Sequence, residues 1–200
     1  NRCRADFYRG FGGRFARWLI AKEIQPSYHS YGNGSGMRVS AAGFMAKSIE
    51  ECIDLATKTA LPTHDHPEGI KGAVATALTI FYGMQGKDKD FIRKQVLDEY
   101  YPNWSGLTYE GIKPGYGFDE TCQQTIPAAL ICFLESKDYE DCLKLAIALG
   151  GDADTLAAIS GPMAYAFYKT MPEELIANAK AKLPEWMLEV NEELDHYVNQ

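Results

Sequence analysis

The chain has 200 residues, of which 46% are hydrophobic and 24% are charged, and its formal net charge at pH 7 is −7. This composition is ordinary for a globular protein with a sizeable core. The acidic balance argues against a general nucleic-acid binder, which needs a basic face to displace counterions, and no apolar run in the sequence is long enough to span a bilayer.

The hydrophobic periodicity is helical along almost the whole chain. In the first predicted helix one face carries five apolar side chains, which are Phe7, Phe11, Phe15, Trp18 and Leu19. Three glycines interrupt this segment, and each costs about 1 kcal/mol relative to alanine in a regular helix. A glycine-rich loop is predicted from Pro26 to Gly36.

Capping residues predict the starts of the next helices. Ser48 and Glu51 have capping-box spacing, Pro67 suits the first position of a helix, and Asp88 suits an N-cap. The predicted ranges are 48–59, 67–80 and 88–100. Residues 102–124 are rich in glycine, hold two prolines and are predicted to form a long loop, a kind of segment that is often functional.

The second half of the chain is predicted to be helical as well. The predicted segments are 127–135, a helix capped by Asp138 that ends at Gly150, a helix from Asp154 to about Tyr168, and a last helix with an apolar stripe from Leu183 to Tyr197. No segment alternates like a strand and no repeat is present. The sequence therefore predicts an all-α fold, a compact multi-helix single domain over residues 1–200 with about eight or nine helices. Two segments rich in small residues, 69–77 and 157–166, are predicted to be central helices.

The cysteine pattern bears on the compartment. Five cysteines occur, an odd number, and no two have Cys-x-x-Cys spacing, which argues against a disulfide framework or a zinc knuckle. We therefore expect a reducing compartment and a cytoplasmic protein. Cys52, Cys132 and Cys142 lie in apolar helical stretches and are expected to be small buried hydrophobes.

The strongest local signal for chemistry is Gly150-Gly151-Asp152-Ala153-Asp154-Thr155. Two glycines can end one helix and turn the chain. In a regular helix the two carboxylates would point about 200° apart, so they converge only where the backbone is still turning into the next helix. Two carboxylates and a hydroxyl form an oxygen cluster that suits Mg²⁺ or Mn²⁺. The alternative is that Asp152 or Asp154 only caps the following helix.

A second signal is the glycine-rich segment from Ser30 to Arg38. A turn of this kind can direct several backbone N–H groups at phosphate oxygens. It is neither a P-loop nor a dinucleotide-binding fingerprint, because the required residues and spacing are absent. A flexible surface loop is the alternative, and Tyr31 either stacks on a base or packs.

A third signal is Thr63-His64-Asp65-His66-Pro67-Glu68. The His-x-His pattern invites a zinc interpretation, but no further histidine or cysteine stands at a helpful spacing. His66 and Asp65 also suit the positions just before a helix that Pro67 opens. A single histidine that faces a ligand phosphate or ribose is the better interpretation.

Five segments carry a family pattern in order: Tyr8–Phe15, Tyr31–Ser40, Thr63–Gly69, Phe118–Cys122 and Gly150–Thr155. Together they resemble the ADP-ribosylglycohydrolase family, the group related to dinitrogenase-reductase-activating glycohydrolase. The resemblance covers about residues 7 to 170. It implies an all-α fold, a pair of Mg²⁺ or Mn²⁺ ions, and hydrolysis of the bond between ADP-ribose and a modified side chain such as arginine or serine, in a protein or in a small conjugate.

The resemblance also implies roles for single residues. The family's Asp-x-Asp-Thr motif supplies metal ligands, here Asp152, Asp154 and Thr155, and the two aspartates are expected to be catalytic. Its Tyr-Gly-Asn-Gly loop lines the ADP-ribose, so the expected substrate-binding residues are Ser30, Tyr31, Gly32, Asn33, Gly34 and Ser35. The Thr-His pair implies His64 as a further ligand contact.

One family feature is missing from these 200 residues. The family's other metal motif, Thr-Asp-Asp, and an N-terminal glutamate with a catalytic role are absent. We therefore expect an N-terminally incomplete domain that, by itself, hydrolyses ADP-ribosylated protein poorly. The alternative function is a catalytically incomplete ADP-ribose-binding or structural relative.

Overall fold

The structure, a computed structural model, describes residues 11–198. Its α-helices are α1 (Gly13–Ile20), α2 (Gly34–Met37), α3 (Ser40–Met45), α4 (Ile49–Ala60), α5 (Pro67–Met84), α6 (Lys89–Ile92), α7 (Tyr109–Ile112), α8 (Cys122–Glu135), α9 (Tyr139–Leu149), α10 (Ala153–Tyr168), α11 (Glu173–Lys180) and α12 (Glu185–Val198). A π-helical segment, Arg93–Asp98, continues α6, and short 3-10 turns span Pro102–Trp104 and Lys113–Gly115. Residues 11–198 contain no strand, which confirms the predicted all-α class.

The predicted N-cap side chains accept the expected hydrogen bonds, but the return bond of the predicted capping box is shifted by one residue. The Ser48 hydroxyl accepts from the Glu51 N–H at 3.1 Å, while the Glu51 carboxylate accepts from the N–H of Lys47 at 2.7 Å rather than from that of Ser48. Asp88 and Asp138 cap α6 and α9 through their carboxylates. Local side-chain chemistry therefore starts these helices where the sequence predicts.

The core lies around α5 and α10, the two helices that the sequence marks by their small residues. Helix α5 is buried along most of its length, and half of the residues of α10 are buried. The two helices approach closely at Gly83, where a Cβ atom would lie only 3.2 Å from the Ala166 Cβ. Cys52, Cys132 and Cys142 are fully buried, as predicted. The small side chains let the central backbones come together, and the longer apolar side chains of α8 fill the space beside them.

Several elements of the structure differ from the prediction. The predicted loop 102–124 contains α7 and two 3-10 turns, and α8 begins at Cys122 rather than at Pro127. The glycine-rich loop ends earlier than predicted, because α2 begins at Gly34. Helix α11 was not predicted at all. The first helix extends only over Gly13–Ile20 in the structure, and Phe7 lies outside the described residues.

The described helices also bear on membrane insertion. None of the helices within residues 11–198 combines the length and the apolar character that a transmembrane span requires.

Candidate active site

The glycine-rich turn, residues 30–36, is fixed by the segment that leads into α8. The N–H of Cys122 donates to the Tyr31 carbonyl at 2.9 Å, and the N–H of Asn33 donates to the Glu120 carbonyl at 2.7 Å. These bonds form an isolated antiparallel bridge between Gly32 and Thr121. The turn is therefore anchored on both sides of Gly32 and is not a freely moving surface loop.

Two side chains of the turn also hold it in place. The Ser30 hydroxyl accepts from the Gly32 N–H at 3.2 Å. Ser35 is fully buried, and its hydroxyl donates to the Gly69 carbonyl at 2.7 Å. Tyr31 differs, because its side chain is half-exposed and its ring lies 5.3 Å from that of His66. Among these three residues, Tyr31 presents the largest surface to a ligand.

The acid motif lies at the start of α10. Gly150 and Gly151 both have positive φ, 84° and 65°, which glycine adopts without strain. Asp152 is the N-cap of α10 with non-helical φ and ψ of −82° and 64°, and its carboxylate makes no capping bond. Asp154 is exposed in the first turn, and Thr155 is buried beside it. All three predicted ligands therefore lie at the N-terminus of α10, and their joint binding of a metal stays a prediction.

Asn33 joins the turn to the acid motif. Its amide nitrogen donates to Oδ2 of Asp152 at 2.7 Å and to the Thr125 hydroxyl at 3.2 Å. Thr125 in turn donates to the Asp119 carbonyl at 3.0 Å. A second, weaker contact runs from the Thr155 hydroxyl to the Met37 sulfur at 3.9 Å. Two segments more than a hundred residues apart in sequence are therefore in direct contact.

His64 lies on the other side of the turn and is 6% exposed. Its Nδ1 is 2.8 Å from the Thr63 hydroxyl. A Cβ atom built on Gly34 would be 3.3 Å from Nε2 of His64, so the ring lies directly against the turn. Burial, followed by the positive charge of Arg38, lowers the pKa of His64 to about 4, and the ring is neutral at pH 7.

The low pKa of His64 predicts a pH-dependent stability. Between pH about 6.5 and pH about 4, His64 binds a proton in the unfolded chain but not in the native protein. The free energy of unfolding therefore falls as the pH falls between these values. His64→Gln removes this effect. We expect the stability difference between wild type and variant to change by on the order of 2 kcal/mol across this window. Urea unfolding at pH 7.0, 5.5 and 4.5 measures it, and a constant difference contradicts the prediction.

The zinc interpretation of the His-x-His pattern finds no support. Nδ1 of His66 accepts from the Glu68 N–H at 3.1 Å and caps α5, and the Asp65 carboxylate accepts from the Ser27 hydroxyl. Within the part of the chain that the structure describes, no three His, Cys, Asp or Glu side chains are grouped to hold a metal ion.

The acid motif fits a hard cation in the chemistry of its donors. Asp152 and Thr155 offer oxygen atoms at one helix end, and Asp154 lies exposed in the first turn of the same helix. Ions such as Mg²⁺ bind oxygen ligands of this kind and keep several waters. Three protein oxygens are too few for two ions with about six ligands each, so a pair of ions needs further oxygens from substrate, water or other protein groups.

The segment before α8 contributes residues that motif analysis did not single out. Gly117 covers Gly151, whose missing Cβ would lie 2.6 Å from the Gly117 carbonyl. Burial raises the pKa of the Tyr116 hydroxyl, with a further contribution from the charges of Asp119 and Asp152. That hydroxyl has no hydrogen-bond partner among the described residues. The only sequence signal for Tyr116 and Gly117 was their place in the predicted functional loop. No sequence signal pointed to Thr125.

Known proteins resemble this chain in sequence. The sequence model of the family described as ADP-ribosylglycohydrolase matches residues 4–200. The protein named ADP-ribosylhydrolase ARH3 from Homo sapiens is 27% identical in an alignment of length 183. That alignment covers 70% of this chain and 50% of that protein. An uncharacterized protein from Archaeoglobus fulgidus is 27% identical over 164 residues, covering 74% of this chain and 53% of that protein. The chain spans about half the length of these curated relatives.

A solved structure supports the fold. A chain of an "ADP-ribosylglycohydrolase-related protein complex" superposes with a TM-score of 0.69 at 22% sequence identity, over 98% of this chain and 70% of that chain. At this identity the likeness shows the fold alone. The helical arrangement described above is therefore one that has been observed experimentally in another protein.

Proposed function

The chain belongs to the ADP-ribosylglycohydrolase family, and on that premise we propose that the protein is a hydrolase that removes ADP-ribose from modified protein side chains or related small conjugates with the help of Mg²⁺ or Mn²⁺. The observation that carries the proposal is the 2.7 Å hydrogen bond between Asn33 and Asp152. It supports a shared site, because it joins the glycine-rich turn to a carboxylate that suits a divalent cation. The N–H groups of Gly32 and Asn33 bond to Ser30 and Glu120, so a diphosphate would contact other groups of the turn. ADP-ribose offers both a diphosphate and ribose hydroxyls to such a site.

The roles of the residues follow from their positions. Asp152, Asp154 and Thr155 would hold the metal, and Asn33 would fix the orientation of the Asp152 carboxylate while leaving its second oxygen available. When bound, a divalent ion supplies electrostatic stabilisation of the charge that develops as the glycosidic bond breaks. Neutral His64 and the exposed Tyr31 ring would contact the ligand at the turn.

The contacts around Gly151 would help to fix the acid motif. Tyr116 and Gly117 lie against Gly151 and border the start of α10. A fixed geometry favours reaction of one positioned water over others.

Binding of ADP-ribose tests the proposal. Wild-type protein is expected to bind ADP-ribose in calorimetry with Mn²⁺ present and to bind it more weakly in EDTA. Asn33→Ala is expected to weaken the Mn²⁺-dependent binding by about 10- to 100-fold, the usual effect of removing a residue that orients a metal ligand. The matched control is Asn103→Ala, an exposed asparagine in a 3-10 turn.

The outcomes separate the possible functions. Absence of ADP-ribose binding with either metal contradicts the proposal. Release of ADP-ribose from modified-arginine or modified-serine protein supports the hydrolase, whereas binding without release is expected both of the incomplete domain and of a binding relative. Equal binding by Asn33→Ala and wild type shows that Asn33 does not orient Asp152.

A further inference from the structure

The Arg38 side chain connects the turn region to the segment that carries His64. Arg38 directly follows α2, and its guanidinium donates to the Thr59 carbonyl at the end of α4 at 2.9 Å. The same Nη2 atom donates to the Thr63 hydroxyl at 2.7 Å and lies 3.5 Å from Nδ1 of His64. Arginine has donors but no acceptor. Each of these contacts therefore has a defined direction.

The direction of the next hydrogen bond is set mainly by Arg38. The Thr63 oxygen accepts from Arg38, and its own proton can be donated to Nδ1 of His64, 2.8 Å away, or to the Tyr28 hydroxyl, with which Thr63 also forms a hydrogen bond. A proton on Nδ1 would face the guanidinium N–H of Arg38 at 3.5 Å, a contact between two donors. Nδ1 is thus favoured as an acceptor, and in a neutral imidazole the proton is then on Nε2.

Nε2 is the ring atom that faces the glycine-rich turn. Cβ atoms built on Gly34 and Gly32 would lie 3.3 Å and 3.8 Å from it. Among the residues that the structure describes, the hydrogen bonds of the His64 ring are all made at Nδ1. The Nε2 proton is therefore the group that the ring offers to a ligand at the turn.

We propose that Arg38 and Thr63 are positioning residues that fix His64 as the Nε2–H tautomer, so that the ring donates a hydrogen bond to an oxygen atom of the ligand at the turn. The identity of that ligand as ADP-ribose rests on the proposed function, whereas the tautomer does not. The charged or titratable groups that act on the ring are Arg38 and Asp65, and Tyr28 lies beside it with ring centroids 6.2 Å apart. Arg38 favours the neutral ring that such a donor requires.

Nitrogen-15 NMR of the histidine rings tests the tautomer in protein without ligand. At pH 7 the His64 ring is expected to give the two-bond correlation pattern and shifts of an Nε2–H imidazole. Thr63→Val keeps the shape of the side chain but removes the hydroxyl, and is expected to give a mixture of tautomers. Thr63→Ser should restore the wild-type spectrum. Thr79→Val is the matched control, because the Thr79 hydroxyl is equally buried but donates to the Ala75 carbonyl.

Ligand binding tests the consequence. Thr63→Val is expected to weaken ADP-ribose binding about fivefold to tenfold, the effect of one misdirected hydrogen bond, while Thr63→Ser and Thr79→Val bind like wild type. The positioning role is overturned if the wild-type spectrum is that of an Nδ1–H ring. It is also overturned if Thr63→Val leaves the tautomer unchanged. If wild type shows the Nε2–H ring but binds no ADP-ribose, the positioning role stands and the proposed function fails.

Discussion

Asp152→Asn is expected to lower the affinity for Mn²⁺ and the rate of ADP-ribose release by more than about 100-fold, beyond the effect of altering a residue that only orients a metal ligand. The reason is charge, because asparagine keeps an oxygen that can accept from Asn33 but loses the negative charge that a divalent cation needs. Asp152 makes no capping bond to α10, so the fold should be little affected. Manganese binding by electron paramagnetic resonance and release of ADP-ribose from modified protein measure the two effects.

A matched control separates the site from the helix cap. Asp138→Asn alters the N-cap carboxylate of α9, which accepts from the Asp141 N–H at 2.8 Å, and asparagine caps about as well as aspartate. It should leave Mn²⁺ affinity and release unchanged. Wild-type Mn²⁺ affinity in Asp152→Asn would show that the acid motif is not the metal site.

Gly43→Ala is expected to destabilise the protein by about 1–3 kcal/mol, the usual penalty for overpacking a core. Gly43 in α3 packs on α5, and a Cβ atom there would lie 2.6 Å from the Ala77 carbonyl and 2.7 Å from the Ile80 Cβ. Neither atom is the end of a flexible side chain, so the two helices must move apart. The free energy of unfolding in urea, with far-UV circular dichroism as the signal, measures the loss.

Gly115→Ala serves as the reference substitution for Gly43. No atom lies within 4 Å of a Cβ built at Gly115, and its stability should match that of wild type within about 0.5 kcal/mol. A Gly43→Ala variant as stable as Gly115→Ala would mean that α3 and α5 have room to separate without loss of packing.

Much of the fold was predictable because its signals are local. The caps at Ser48, Asp88 and Asp138 act within one helical turn, and the small residues of α5 and α10 directly report close packing. The predicted start of α8 was wrong because of a tertiary contact. The predicted segment begins at Pro127, but α8 begins at Cys122, directly after the bridge between Gly32 and Thr121, and no local pattern encodes a partner so distant in the sequence.

The residues of the candidate site were also predictable only in part. Motif analysis singled out the turn, His64 and the acid motif, and the structure places them together. Motif analysis did not find Thr125, whose hydroxyl accepts from the Asn33 amide, or Tyr116. Tyr116 lies in the predicted functional loop, but neither residue carries a distinguishing pattern of its own. Their importance depends on which carboxylate lies beside them in space. The binding and catalytic roles of the turn, His64 and the acid motif remain predictions.

The hydrogen bond from Asn33 to Asp152 has a thermodynamic consequence if the turn binds the ligand and the acid motif binds the cation, as proposed. A ligand held at the turn would then act on the Asn33 amide and, through it, on the carboxylate that would face the cation. Whatever factor the cation contributed to the affinity for the ligand, the ligand would contribute to the affinity for the cation. The two affinities would share one coupling factor, and a dissociation constant for either partner would be complete only with the concentration of the other.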